Sequence, residues 1–278
     1  MSLSFLFGGK LFMRFRLLLL AVTLSLAASC ALADTRYVEV PGGSFRSAIK
    51  LADDTRDKRV VAPFRMRERL VTNADFLAFV SGEPRWRRDR VAVLFATPGY
   101  LSHWSGPLNP GPDAPADEAV TGVSWFAARA YCASEQARLP QWIEWEYAAA
   151  ADPKLRDARH DSDRQARLLA NLMATFGSPH MTPVHQRPNV YGLHGMHVLT
   201  GEWVDDYAAP FANADSRNSG DNSELRLCGG AALAFLDRSD YTLMMRVAAL
   251  SALKPADSSR SVGFRCVKDM NIDDKGGS

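Results

Sequence analysis

The sequence is short of net charge, of long apolar runs, of repeats and of cysteine. Its 33 Lys and Arg nearly balance 31 Asp and Glu, for a formal net charge of +2, which removes the electrostatic case for nucleic-acid binding. Beyond residue 33 no apolar stretch approaches the roughly 20 residues that a membrane helix needs, so no membrane span is expected. No internal repeat or low-complexity tract is present. The cysteines number four, Cys30, Cys132, Cys228 and Cys266.

The one conspicuous apolar run lies at the start. Met13-Arg14-Phe15-Arg16 precedes Leu17 to Ala28, a short basic segment and a run of about a dozen residues in the pattern of a secretory signal. Ala31-Leu32-Ala33 offers an A-x-A cleavage site, so residues 1–33 are expected to be a signal peptide and 34–278 one large domain. Losing Lys10, Arg14 and Arg16 would shift the net charge to about −1. Ala27-Ala28-Ser29 before Cys30 is also an imperfect lipobox, which leaves a lipid anchor at Cys30 as the alternative. Either route places the protein in the periplasm or outside the cell. There thiols pair, and loss of Cys30 leaves an odd number, Cys132, Cys228 and Cys266.

Local signals are clear in three places. Thr72, with Asp75 three residues on, predicts a capped helix start that puts Phe76 and Phe79 on one face. Ser124 opens a second helix whose Trp125, Ala128 and Cys132 share a stripe. From Trp86 to Ala119, Pro98, Pro107, Pro110, Pro112 and Pro115 with Gly99, Gly106 and Gly111 predict a long irregular loop, a common location for binding surfaces. Asp152 to Arg167 is charge-dense and reads as a solvated connection.

Val123 to Ala150 carries more than periodicity. Val123-Ser124-Trp125, Ala130-Tyr131-Cys132, Arg138-Leu139-Pro140 and Glu144-Trp145-Glu146-Tyr147-Ala148 follow one another at set spacing. Val40-Pro41-Gly42-Gly43-Ser44-Phe45 and Val71-Thr72-Asn73 precede them; Glu202-Trp203, Gly229-Gly230, Arg246 and Gly263-Phe264-Arg265-Cys266 follow. This order resembles the sulfatase-modifying factor, or formylglycine-generating enzyme, superfamily over nearly all of residues 37–268. The resemblance implies an α+β fold, a C-type lectin-like variant with much irregular structure, and a disulfide between Cys132 and Cys266.

The chemistry the resemblance implies is where this chain departs from it. In formylglycine generators two cysteines after the glycine pair hold copper and oxidise a cysteine of an unfolded sulfatase. Here Ala231 to Met245 contains no cysteine. Thiolate selects Cu(I), so formylglycine generation is not expected. Cys228, just before Gly229-Gly230, is the remaining candidate for a displaced redox or metal residue, against its ordinary reading as a small buried hydrophobe. The calcium loop implied by the family is also altered: His194-Gly195-Met196-His197-Val198-Leu199-Thr200-Gly201-Glu202-Trp203 leaves Glu202 as its obvious hard ligand. Calcium takes 6 to 8 oxygens, which makes a calcium site doubtful.

Four of the six histidines, His180, His185, His194 and His197, fall close together with Met181 and Met196. Imidazole and thioether suit copper, and imidazole with a carboxylate such as Glu202 suits non-haem iron; loop histidines without a metal are the other reading. Superfamily branches lacking the cysteine pair include iron-dependent sulfoxide synthases, a periplasmic pyoverdine-maturation branch and members associated with copper nitrite reductase. The expectation is therefore an exported maturation or accessory factor acting on an exported protein or peptide-derived substrate, with a copper- or iron-dependent oxidoreductase as its catalytic form. The alternative is a non-catalytic lectin-like binding module.

Overall fold

The computed structural model describes residues 36–49, 58–175, 187–207 and 240–270. The expected signal segment, Cys30, His180, His185 and Cys228 lie outside them. Among the described residues no helix is long and apolar enough to cross a membrane.

Strands β1 (Tyr37–Val40), β2 (Gly43–Phe45), β3 (Arg59–Val61) and β4 (Phe64–Arg67) come first, then helix α1 (Asn73–Gly82). The chain next runs through a 3-10 turn, Pro84–Trp86, and a long stretch of turns before α2 (Trp125–Ser134) and α3 (Trp142–Ala150). After α4 (Ser162–Thr175) and β5 (Gly201–Glu202) come α5 (Tyr241–Ser251), β6 (Val262–Gly263) and β7 (Val267–Asp269). The main sheet is antiparallel in the order β1-β4-β7, with Val40 opposite Phe64 and Met66 opposite Val267. Two short pairs fall between its strands in sequence, β2-β3, antiparallel, between β1 and β4, and β5-β6, parallel, between β4 and β7. The fold is α+β.

The caps form as the sequence predicts. Thr72 Oγ1 accepts from the Asp75 amide at 3.2 Å while the Asp75 carboxylate accepts from the Thr72 amide at 2.9 Å, a reciprocal capping box at the start of α1. Ser124 Oγ accepts from the Ala127 amide at 3.2 Å and starts α2. Ala128 and Cys132 of the expected stripe are buried, but Trp125 is half-buried and donates Nε1–H to the Val204 carbonyl at 3.0 Å.

Phe76 stacks on Tyr131 at 5.9 Å and meets Phe264 edge-on at 6.1 Å, so α1, α2 and the segment before β7 share one aromatic centre. Cys132 and Cys266 are disulfide-bonded beside it, with Cα atoms 5.5 Å apart. Asn73 fastens the proline-rich loop to α1: its amide donates to Pro115 O at 2.9 Å, and its Oδ1 accepts from Trp104 Nε1 at 3.2 Å. Arg138 binds both Glu144 oxygens at 2.7 Å and also Asp269, fixing the start of α3 to β7.

Candidate functional site

Helix α3 places Trp145, Glu146 and Ala149 toward the interior, and α5 with its cap faces them, so that Asp240, Thr242 and Arg246 surround one small cavity. This cavity, ≈ 10 Å³, is about the room that one water needs. Asp240 and Thr242 belong to the stretch where the family resemblance implies the copper-binding cysteines. Asp240 caps α5, accepting from the Leu243 amide at 3.0 Å and from Thr242 Oγ1 at 2.9 Å.

Three arginines converge on the same wall. Arg246 donates to Leu199 O at 2.5 Å and lies 5.6 Å from the Trp145 ring centre, and its buried Nε has no partner among the described residues. Arg164 donates to Ala149 O at 2.6 Å. Arg159 reaches Glu146 at 3.4 Å, binds Asp157 through two nitrogens at 2.9 and 2.7 Å, and sits over the Phe45 ring at 4.3 Å. Burial draws Arg164 and Arg246 below the ordinary guanidinium value, Arg246 to about 10, with Asp240 among the acids that oppose the shift in both.

Glu146 is buried and accepts from the Ala48 amide at 2.6 Å and Ser47 Oγ at 2.5 Å. Burial outweighs those bonds and Arg159, pushing its carboxyl up from 4.5 to about 7. His197 goes the other way. Burial first, then Arg246 and Arg164, hold its imidazole well below 6.5 and therefore neutral. Its Nε2 lies 2.8 Å from Ala149 O and 3.1 Å from Arg164 Nη2. The shorter contact assigns the ring proton to Nε2, with Ala149 O accepting from both side chains. Nδ1 is then a buried acceptor with no partner among the described residues.

Arg164 and His197 also line a larger pocket of ≈ 250 Å³, together with Arg167, Arg187, Leu168 and Met196. The buried cluster thus continues into a cationic, partly apolar pocket with Asp152 as its lining acid. That carboxylate accepts from the Lys154 and Leu155 amides at 2.7 and 2.6 Å. The arrangement suits a small anionic group held by the guanidinium donors, and the bare imidazole acceptor calls for a donor hydrogen on its partner.

The residues expected to hold a metal are not assembled there. Glu202 is gripped on both oxygens by Arg265, at 2.7 and 3.1 Å, so a cation would have to displace a buried guanidinium. His194 gives its carbonyl to Arg265 at 3.1 Å, and its Nε2 lies 3.3 Å from Glu68. His197 faces the arginine cluster instead. Among the described residues no group of three or more His, Cys, Asp or Glu is placed to hold a metal. Both described cysteines, Cys132 and Cys266, are consumed in their disulfide. The described residues therefore do not fit the copper centre that the resemblance implies, and no chemical step is derived through it.

Sequence reasoning missed Glu146, Arg159, Arg164 and Asp240. Asp152 to Arg167 is not wholly solvated: Arg164 is buried and the Arg159 side chain nearly so. Glu146 alone had a usable signal, an acid one turn from Trp142 in an otherwise core-facing helix.

Residues 26–270 match the Sulfatase-modifying factor enzyme 1-like domain. The chain belongs to this family. A formylglycine-generating enzyme of Streptomyces coelicolor is 31% identical over 217 residues, 72% of this chain and 66% of its own length. A hercynine oxygenase of Mycolicibacterium smegmatis is 31% identical over 202 residues, 63% of this chain and 46% of its own length. The chain thus spans less than two thirds of either relative. An inactive Cα-formylglycine-generating enzyme 2 of Bos taurus is 27% identical over 274 residues, 82% of this chain and 86% of its own length.

Proposed function

We propose that this family member is an exported maturation or accessory factor that binds a protein or peptide-derived substrate at the arginine-lined pocket and does not generate formylglycine. One observation carries the reading: Ala231 to Met245 has no cysteine, and its described end places a carboxylate and a hydroxyl, Asp240 and Thr242, at the small cavity facing Trp145. Carboxylate and hydroxyl are hard ligands and do not hold Cu(I) as thiolate does. The signal-like segment before Asp34 motivates export to the periplasm or beyond. An aldehyde assay on a sulfatase-motif cysteine peptide tests the negative half of the reading.

The second reading is a non-catalytic binding module on a lectin-like scaffold. The engagement of Glu202 by Arg265 favours it, as does the bovine relative, whose name states that it is inactive. Metal analysis of the purified exported protein separates the two. Stoichiometric copper or iron, lost on changing His194 and His197 to alanine, supports a metal-dependent oxidoreductase. A metal-free protein that retains its partner supports the binding module.

A further inference from the structure

On the surface, away from the arginine cluster in sequence, the 3-10 turn, the loop after it and α2 form a groove of ≈ 420 Å³. Its wall is an aromatic ladder: Trp86 packs on Phe95 at 5.9 Å, and Phe95 meets Phe126 edge-on at 5.3 Å. Ala92, Ala130 and Ala133 leave room along it. The loop carries the apolar surface onward, with Val93 93% and Leu94 73% exposed. Scattered exposed apolar residues are ordinary, but a continuous patch joined to a groove marks a contact site.

Two further features say what the groove accepts. Trp86 is buried and fixed by Tyr100, whose hydroxyl donates to its carbonyl at 2.9 Å. Its indole Nε1–H is a buried donor with no partner among the described residues, so the ring offers the groove its apolar surface. The charged lining is cationic: Arg85, Arg90 and Arg129, with no acid among the lining residues. Among the described residues the acids paired nearby are Glu83, 3.4 Å from Arg85, Asp205, 3.9 Å from Arg129, and Asp89, which pairs with Arg87 at 2.7 Å. The Arg85 and Arg129 pairs are long and largely exposed, so they leave most of the cationic field in place.

We propose that this groove docks an acidic segment of a partner protein, seating one apolar or aromatic side chain against Trp86, Phe95 and Phe126 between Arg85, Arg90 and Arg129. Charge complementarity sets the sign, and Arg with aromatic residues is the composition of interface centres. Exposed Val93 and Leu94 widen the surface beyond what a small molecule covers. The proposal is independent of the chemistry at the arginine cluster and stands if that reading fails.

The test is selection from a random peptide library on the full purified chain, followed by binding of a labelled synthetic copy of the enriched peptide. Enriched sequences are expected to place Phe, Trp or Leu among Asp and Glu, and binding is expected to weaken as salt rises. Ala133→Trp, which fills the groove from an exposed position, should lower affinity tenfold or more, as should Arg90→Glu with Arg129→Glu. Melting curves of the variants, run alongside, show that the loss is not unfolding. No enrichment, enrichment without acids, or affinity unchanged in both variants overturns the proposal. So does a concentration-dependent dimer abolished by Ala133→Trp, which would make a second copy of this chain the occupant.

Discussion

Arg265 holds Glu202 through Nε at 2.7 Å and Nη2 at 3.1 Å, with both side chains shut off from solvent. The pair ties β5 to the segment between β6 and β7, and Arg265 also grips the His194 carbonyl. It turns what the family pattern implies as a ligand loop into an internal electrostatic clamp.

Removing one partner leaves a buried charge uncompensated. Glu202→Ala is expected to destabilise the protein by about 3–5 kcal/mol, and Arg265→Ala by a similar amount. Urea denaturation of each variant measures it. A loss below about 1 kcal/mol would mean that the clamp is not a structural unit.

The disulfide closes a loop with a sequence separation of 134, for which the chain-entropy argument gives about 4–5 kcal/mol. Cys132→Ala with Cys266→Ala is therefore expected to lower the denaturation midpoint strongly, and reduction of the wild type should do the same. Equal midpoints with and without reductant would contradict it.

Glu146 and His197 pull stability in opposite directions with pH. The raised Glu146 carboxyl binds more protons folded than unfolded between about 4.5 and 7, so its contribution is fully present below 4.5 and is lost as pH rises through 7. The depressed His197 binds fewer protons folded, so its contribution is fully present above 6.5 and declines as pH falls below that value. Each slope approaches about 1.4 kcal/mol per pH unit, and the two offset one another just below pH 6.5. Glu146→Gln should expose the His197 limb, with stability falling as pH drops below 6.5; His197→Asn should expose the opposite slope. Identical pH profiles for wild type and both variants would refute the assignment.

Much of the scaffold was legible because short-range chemistry writes it. Thr72 with Asp75, and Ser124 before an apolar stripe, are local hydrogen-bonding instructions, and the loop from Trp86 to Ala119 follows from its prolines. The disulfide was expected from the family resemblance. The site was less legible. A solvated arginine and a buried one look alike in sequence, so Arg159 and Arg164 were hidden within a charge-dense segment. Clustering of His194, His197 and Glu202 along the chain suggested a shared ligand set, whereas Glu202 faces Arg265 and His197 faces Arg164. Backbone turns over 194–202 send neighbours in sequence to different partners.

Export is expected to end in cleavage between Ala33 and Asp34, since small residues occupy 31 and 33. Mass spectrometry of the mature N-terminus checks it. A chain that retains Leu17 to Ala28, or one acylated at Cys30, would show a different route to the membrane or beyond.

Ala231 to Met245 contains no cysteine, and the described end of that stretch carries Asp240 and Thr242. The purified protein, supplied with copper, oxygen and a sulfatase-motif cysteine peptide, is assayed for aldehyde beside a formylglycine-generating relative. No aldehyde above background is predicted. Turnover comparable to the relative, abolished by Cys228→Ala, would contradict both the reading of the cysteine-free stretch and the accessory role.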